Sequence, residues 1–200
     1  MEKNLRTTNH INTRQLAVVG MLSAISIILG ATGLGFIPIP PAKATIMHVP
    51  VIIGAILEGP IVGALIGLMF GVFSVIQSII SPTPLSPIFM NPLVSVLPRV
   101  LIGIVSYYCY VSIKNIPFIK KSNAVKIGIT AAVGTLTNTI GVLGMMYILY
   151  VEKYAQILHI SSSAAKKGII AIGATNGLPE ITVSILITIP VVMAVKKLKK

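Results

Sequence analysis

Arg99 stands in the stretch NPLVSVLPRVLIG (91–103), where every other residue from 93 onward is apolar, small or proline. A guanidinium keeps its charge and presents five donors in a planar fork, so an arginine in such a run must be explained by its partner. Glu180 supplies a carboxylate within the last apolar run, and Asn138 and Asn176 add amide donors and acceptors to two other apolar stretches. Counted at 1.5 Å per helical residue, Arg99 lies about 12 Å inward from Asn91, and Glu180 about 18 Å inward from Gly168. At that similar depth the two are expected to pair. The chemistry open to this set is capture of a polar, anionic solute, or a closed network that only braces helices against one another.

The elements that position these groups are membrane helices. The chain has 200 residues, of which 54% are hydrophobic and 10% charged. Its mean hydropathy is +0.94. Runs at 16–34, 61–80, 93–113, 127–151 and 169–195 are each long enough to cross a bilayer core of about 30 Å. A shorter run at 46–57, IMHVPVIIGAIL, is decided by charge. If it crosses, Lys3, Arg6, Arg14, Lys114, Lys120, Lys121, Lys126, Lys196, Lys197, Lys199 and Lys200 fall on one side, with Lys43, Lys153, Lys166 and Lys167 on the other. If it does not cross, the basic majority is lost, so the excess of lysine and arginine in cytoplasmic loops selects six crossings with both termini cytoplasmic. The short helix is expected to borrow length from Thr45 and from the turn at 58–60. The sequence thus predicts an all-α integral membrane protein, with a cytoplasmic tail at 1–13 and a single compact six-helix domain at 14–200.

Other features sort into packing and exclusion. Gly59, Gly63, Gly67 and Gly71 share one helix face, as do Gly173 and Gly177, and such stripes let a second backbone approach closely. Ala17, Gly20 and Ala24 form a small-residue stripe on the first helix, which fits either internal packing or docking of another membrane protein. Two proline-rich outer loops, 33–45 and 81–92, are stiff enough to lid a pocket. A net charge of +12 would suggest nucleic acid in a soluble protein, but here the lysines flank apolar runs, and no nucleic-acid partner is expected. There is no aspartate, which removes paired-aspartate metal chemistry and a Ser-His-Asp triad. No Gly-Lys dipeptide occurs, so the chain has no P-loop and is not its own ATPase. His48, without cysteine or carboxylate neighbours, reads as packing rather than as a metal ligand. No enzyme activity, metal or cofactor is expected.

Six helices in about 200 residues, a short second helix leading through TIMHVPVIIGAILEGPIVGALIGLMFG, and NPLVSVLPRVLIG in the fourth together resemble the substrate-binding S components of energy-coupling factor (ECF) vitamin transporters. The resemblance implies a multi-pass subunit of the cell membrane that captures a vitamin from outside. It implies as partners a transmembrane coupling protein, two cytoplasmic ATPases and the surrounding lipid. It also turns the Ala17, Gly20, Ala24 stripe into an expected docking face, with Met21 where a second small residue is usual. In that family the ligand lies under the first loop and among the last three helices. Carried over, this implies Phe36, Lys43, His48, Phe89, Asn91, Arg99, Asn138, Tyr147, Asn176 and Glu180 as ligand-binding residues.

The ligand class follows from the side chains on offer. Planar ring vitamins want aromatic stacking, and with no tryptophan, five phenylalanines and six tyrosines the chain is expected to place few rings at the pocket. A flexible hydroxylated acid wants an arginine or lysine for its carboxylate and amides for its hydroxyls. Pantothenate fits that description, and TIMHVPVIIGAILEGP is similar to the pantothenate-type branch. Riboflavin or a pyridoxine-like vitamin is the alternative ligand. A stand-alone gradient-driven carrier or channel, with Arg99 and Glu180 as its gate, and a purely structural membrane subunit are the alternative functions.

Overall fold

A computed structural model describes residues 11–39, 42–114 and 122–198, with backbone alone at 38, 39, 42–44 and 114. Most of the expected tail at 1–13, and the basic residues Lys3, Arg6, Lys120, Lys121, Lys199 and Lys200, lie outside the described residues. The order is α1 (Thr13–Ala31), β1 (Phe36–Ile39), β2 (Ala42–Thr45), α2 (Val49–Glu58), α3 (Pro60–Ile80), α4 (Ser86–Phe89), α5 (Pro92–Ser95), α6 (Leu97–Lys114), α7 (Asn123–Ile157) and α8 (Ser162–Leu198). The protein is helical, and among the described residues five stretches are long and apolar enough to cross a membrane: α1, α3, Pro92–Ile113, α7 and α8.

The short run at 46–57 does not gain length from Thr45. Thr45 ends β2, His48 precedes the helix, and α2 has ten residues, about 15 Å at 1.5 Å per residue. Every residue from Val49 to Ile56 is buried, so α2 forms the centre of the bundle rather than its rim. One residue, Gly59, joins it to α3, with φ +108° and ψ 178°. That backbone region is open almost only to glycine. Pro60 then starts α3 where its missing N–H costs nothing. Gly59→Ala is expected to destabilise the fold by roughly 1–3 kcal/mol through backbone strain. A thermal melt in detergent checks this, and an unchanged melting temperature would contradict it.

The other three glycines of the stripe hold α3 against its neighbours. A Cβ on Gly63 would stand 2.6 Å from Ala55 Cβ and 2.9 Å from Gly103 Cα; one on Gly71 would stand 2.7 Å from Val96 Cα. A Cβ on Gly67 would fall onto the carbonyl oxygen of Arg99. Gly59 is not part of this contact, since nothing lies within 4 Å of its Cβ position. In α8, Gly173 meets only Leu143 at 3.1 Å and Gly177 meets nothing, so the second stripe brings no backbone close.

α7 and α8 have 35 and 37 residues, well beyond the apolar runs that announce them. At 1.5 Å per residue each exceeds about 50 Å, longer than a bilayer core. α8 continues through Pro179 and Pro190 without ending. The apolar core has two parts. One gathers α1, α2, α3, α6 and the ends of α7 and α8 around Ile52, Ile66, Ile102 and Val192. The other gathers α4, α5 and the α7–α8 pair around Ile88, Val94, Met146 and Ile169.

Candidate functional site

Between these two clusters lies a cavity of about 320 Å³, within the range of roughly 300–1,000 Å³ usual for small-molecule sites. Phe70 and Met47 from the first cluster and Val142, Leu143 and Phe89 from the second form its apolar walls. Its polar wall holds Arg99, Glu180, Asn138, Asn176, Thr45, Thr139, Ser74, Gln77 and Ser78.

Arg99 is placed by the residue before it. Pro98 has no N–H, so the carbonyl of Val94, four residues earlier, lacks its helical donor, and the chain breaks at Val96 between α5 and α6. Arg99 Nη1 donates to that carbonyl at 2.7 Å. The guanidinium carbon sits 5.6 Å from the Phe70 ring centroid, a cation–π arrangement that holds the fork over an apolar face. Arg99 is 8% exposed and its buried Nε has no partner. One unsatisfied buried donor on a charged fork costs about 1–3 kcal/mol or more, and the charge of a carboxylate in the cavity would offset it.

Glu180 does not pair with Arg99. Its Oε1 accepts from the Thr45 backbone N–H at 2.8 Å and from Thr45 Oγ1 at 3.1 Å, and its Oε2 accepts from Thr139 Oγ1 at 3.0 Å. Among the described residues, the ion pair within 4 Å joins Arg14 to Glu58 at 3.0 Å, at the junction of α1 with the α2–α3 turn. The expected pairing failed because depth along a helix says nothing about which wall a side chain faces. Thr45 closes β2 opposite Phe36, in a hairpin pairing Phe36 with Thr45 and Ile39 with Ala42. Glu180 therefore ties the hairpin to α8.

Of the residues singled out from the sequence, Phe36, Phe89, Arg99, Asn138, Asn176 and Glu180 line the cavity. Three of the other four stand elsewhere. His48 is buried against Thr135, Nε2 to Oγ1 2.9 Å, inside the bundle. Asn91 caps α5, accepting from Leu93 N at 2.9 Å and donating to Tyr150 Oη at 2.7 Å. Tyr147 is 37% exposed and off the cavity wall. Lys43 lies in β2, and its side chain is outside the described residues. Asn138 is 7% exposed, and its buried Oδ1 has no partner.

Sequence reasoning missed Ser74, Gln77 and Ser78, which share one face of α3 with Phe70. Their spacing of three and four residues in an apolar run was the available signal. It also underrated the rings, since Phe36, Phe70, Phe73 and Phe89 all line the cavity. Three of the four come from α3 and the hairpin, distant in sequence from Arg99, Asn138, Asn176 and Glu180.

On α1 the small-residue stripe is bare. Ala17, Gly20 and Ala24 are exposed, whereas Val19, Ser23, Ser26 and Gly30 turn inward. Nothing lies within 4 Å of a Cβ on Gly20, so internal packing does not account for the stripe.

The family model for the ECF transporter, substrate-specific component, matches residues 14–192. The chain belongs to this family. It is accordingly a multi-pass protein of the cell membrane and a substrate-binding transport component rather than a catalyst. Among its relatives, the pantothenic acid transporter PanT of Lactococcus lactis subsp. cremoris (strain MG1363) is 32% identical over 171 residues, covering 78% of this chain and 80% of the relative. The pantothenate transporter PanT of Leuconostoc mesenteroides subsp. mesenteroides is 28% identical over 162 residues, covering 77% and 78%.

Proposed function

We propose that this S component captures pantothenate from outside the cell, with the vitamin's carboxylate on Arg99. The observation that carries the reading is the buried, under-satisfied guanidinium on the wall of a small, partly open cavity. An arginine fork receives a carboxylate through two parallel charge-assisted hydrogen bonds. Asn138, Asn176 and the Ser74, Gln77, Ser78 face offer partners for hydroxyl and amide groups, and the four phenylalanines suit the branched hydrocarbon in the middle of the molecule. The names of the two relatives support the same ligand. The rings also favour a planar vitamin, so riboflavin and pyridoxine belong in the test. Equilibrium binding to the purified protein should show saturable pantothenate binding that neither ring vitamin displaces. Displacement by riboflavin would reassign the substrate, and no binding of any of them would remove the reading.

Six crossings with both ends cytoplasmic remain the topology that the lysine distribution supports, with α2 as the short second crossing. The hairpin and cavity then face outward. Without an ATP site in the chain, inward delivery draws on the partners implied by the family, a coupling protein and two ATPases. The bare Ala17, Gly20, Ala24 stripe is the proposed docking face, where small residues let a partner helix come close. Gly20→Leu combined with Ala24→Leu is expected to abolish co-purification with the coupling module while leaving vitamin affinity within about twofold, since neither residue touches the cavity. Retained co-purification would move the docking face elsewhere.

A further inference from the structure

The cavity has two charged walls, Arg99 and Glu180, with no ion pair within 4 Å between them. Glu180 is 5% exposed, and the three hydrogen bonds described for it come from neutral donors, the Thr45 N–H and hydroxyl and the Thr139 hydroxyl. No ion pair within 4 Å joins it to a cation among the described residues. Such donors stabilise a carboxylate without cancelling its field, and at low dielectric that field repels any second anion. A carboxylate has about four acceptor sites. With three in use, one is left for a hydroxyl of the ligand.

From this arrangement we propose that Glu180 is a specificity-determining residue, restricting the cavity to solutes with a single anionic group and rejecting the same vitamin once a hydroxyl has been phosphorylated. The inference rests on the proposed capture of pantothenate through Arg99. A ligand whose carboxylate is fixed on Arg99 extends its hydroxyl end toward the cavity's other polar groups, Glu180 among them. A phosphate monoester there takes away the donor that Glu180 can accept from and adds a charge of about −1.5 to −2 at neutral pH. The carrier would thereby take up the free vitamin and refuse the product of the phosphoryl transfer that would trap it in a cell.

The test is competition binding at pH 8 with pantothenate and its phosphate monoester on the primary hydroxyl, using wild type, Glu180→Gln and Thr45→Val. Wild type is expected to bind the ester on the order of 100-fold more weakly than the free vitamin. Glu180→Gln, of the same shape but uncharged, is expected to narrow that ratio about tenfold or more. Thr45→Val removes a hydroxyl bond and keeps the charge, so it is expected to move both affinities together and hold the ratio within about twofold. Equal binding of the two ligands by wild type, or a ratio untouched in Glu180→Gln, overturns the filter while pantothenate capture stands. A wild type that binds no pantothenate overturns both.

Discussion

Arg99→Ala is expected to weaken vitamin binding by roughly 30-fold to several thousand-fold, the equivalent of about 2–5 kcal/mol for truncating one member of a buried, hydrogen-bonded charge pair. The fold should survive this change. The guanidinium makes a single described hydrogen bond, to Val94 O, while the α3–α6 contact that positions its backbone is made by glycines. Leaving the Val94 carbonyl without a donor costs about 1–3 kcal/mol, which a thermal melt would register as a modest shift. Arg99→Lys sharpens the reading. Lysine keeps the charge and loses the fork, so binding should fall between wild type and alanine. Wild-type affinity in a folded Arg99→Ala protein would show that the carboxylate is held elsewhere, and Lys43 would then be the next residue to change.

How far this site could be read from the sequence depends on which physical rule decides each residue. Arg99 was legible because an arginine in an apolar run has few explanations. Its partner was not legible. Arg99 and Glu180 share a depth, yet the azimuth of α8 relative to α6 is set by packing across several helices, and that turns Glu180 toward Thr45 instead. The hairpin was hidden for a related reason. Pro38 lies within β1, and a proline is tolerated in a strand only at an edge or an end, so the segment read as a stiff loop. A two-stranded ribbon has only edges. The helix set was legible from run length. The full reach of α7 and α8 was not, because their first and last turns carry polar residues that hydropathy assigns to loops. Asn91 stands off the cavity wall for a local reason, since an asparagine before the proline that opens a helix is drawn into capping.

The second large effect lies outside the cavity wall. Gly67→Ala adds a single methyl group, but its Cβ would overlap the Arg99 carbonyl oxygen and stand 2.7 Å from the Arg99 carbonyl carbon and 3.1 Å from Val100 Cα. All three are backbone atoms, so no side-chain rotation relieves the clash, and α3 must move away from α6. Overpacking of this kind costs about 1–3 kcal/mol or more, and here the displaced backbone is the one that carries the guanidinium. Stability and affinity should therefore fall together. Gly103→Ala isolates the first effect, because its Cβ meets the backbone of Gly63, one turn further along the same seam. It should lower the melting temperature comparably while affecting affinity less. Gly144→Ala, whose Cβ meets nothing within 4 Å, should do neither. Measured side by side, the three variants separate helix packing from guanidinium placement. Equal affinity losses in Gly67→Ala and Gly103→Ala would mean that the seam acts on the cavity only through overall stability, and wild-type behaviour of Gly67→Ala would mean that α3 and α6 are not in close backbone contact there.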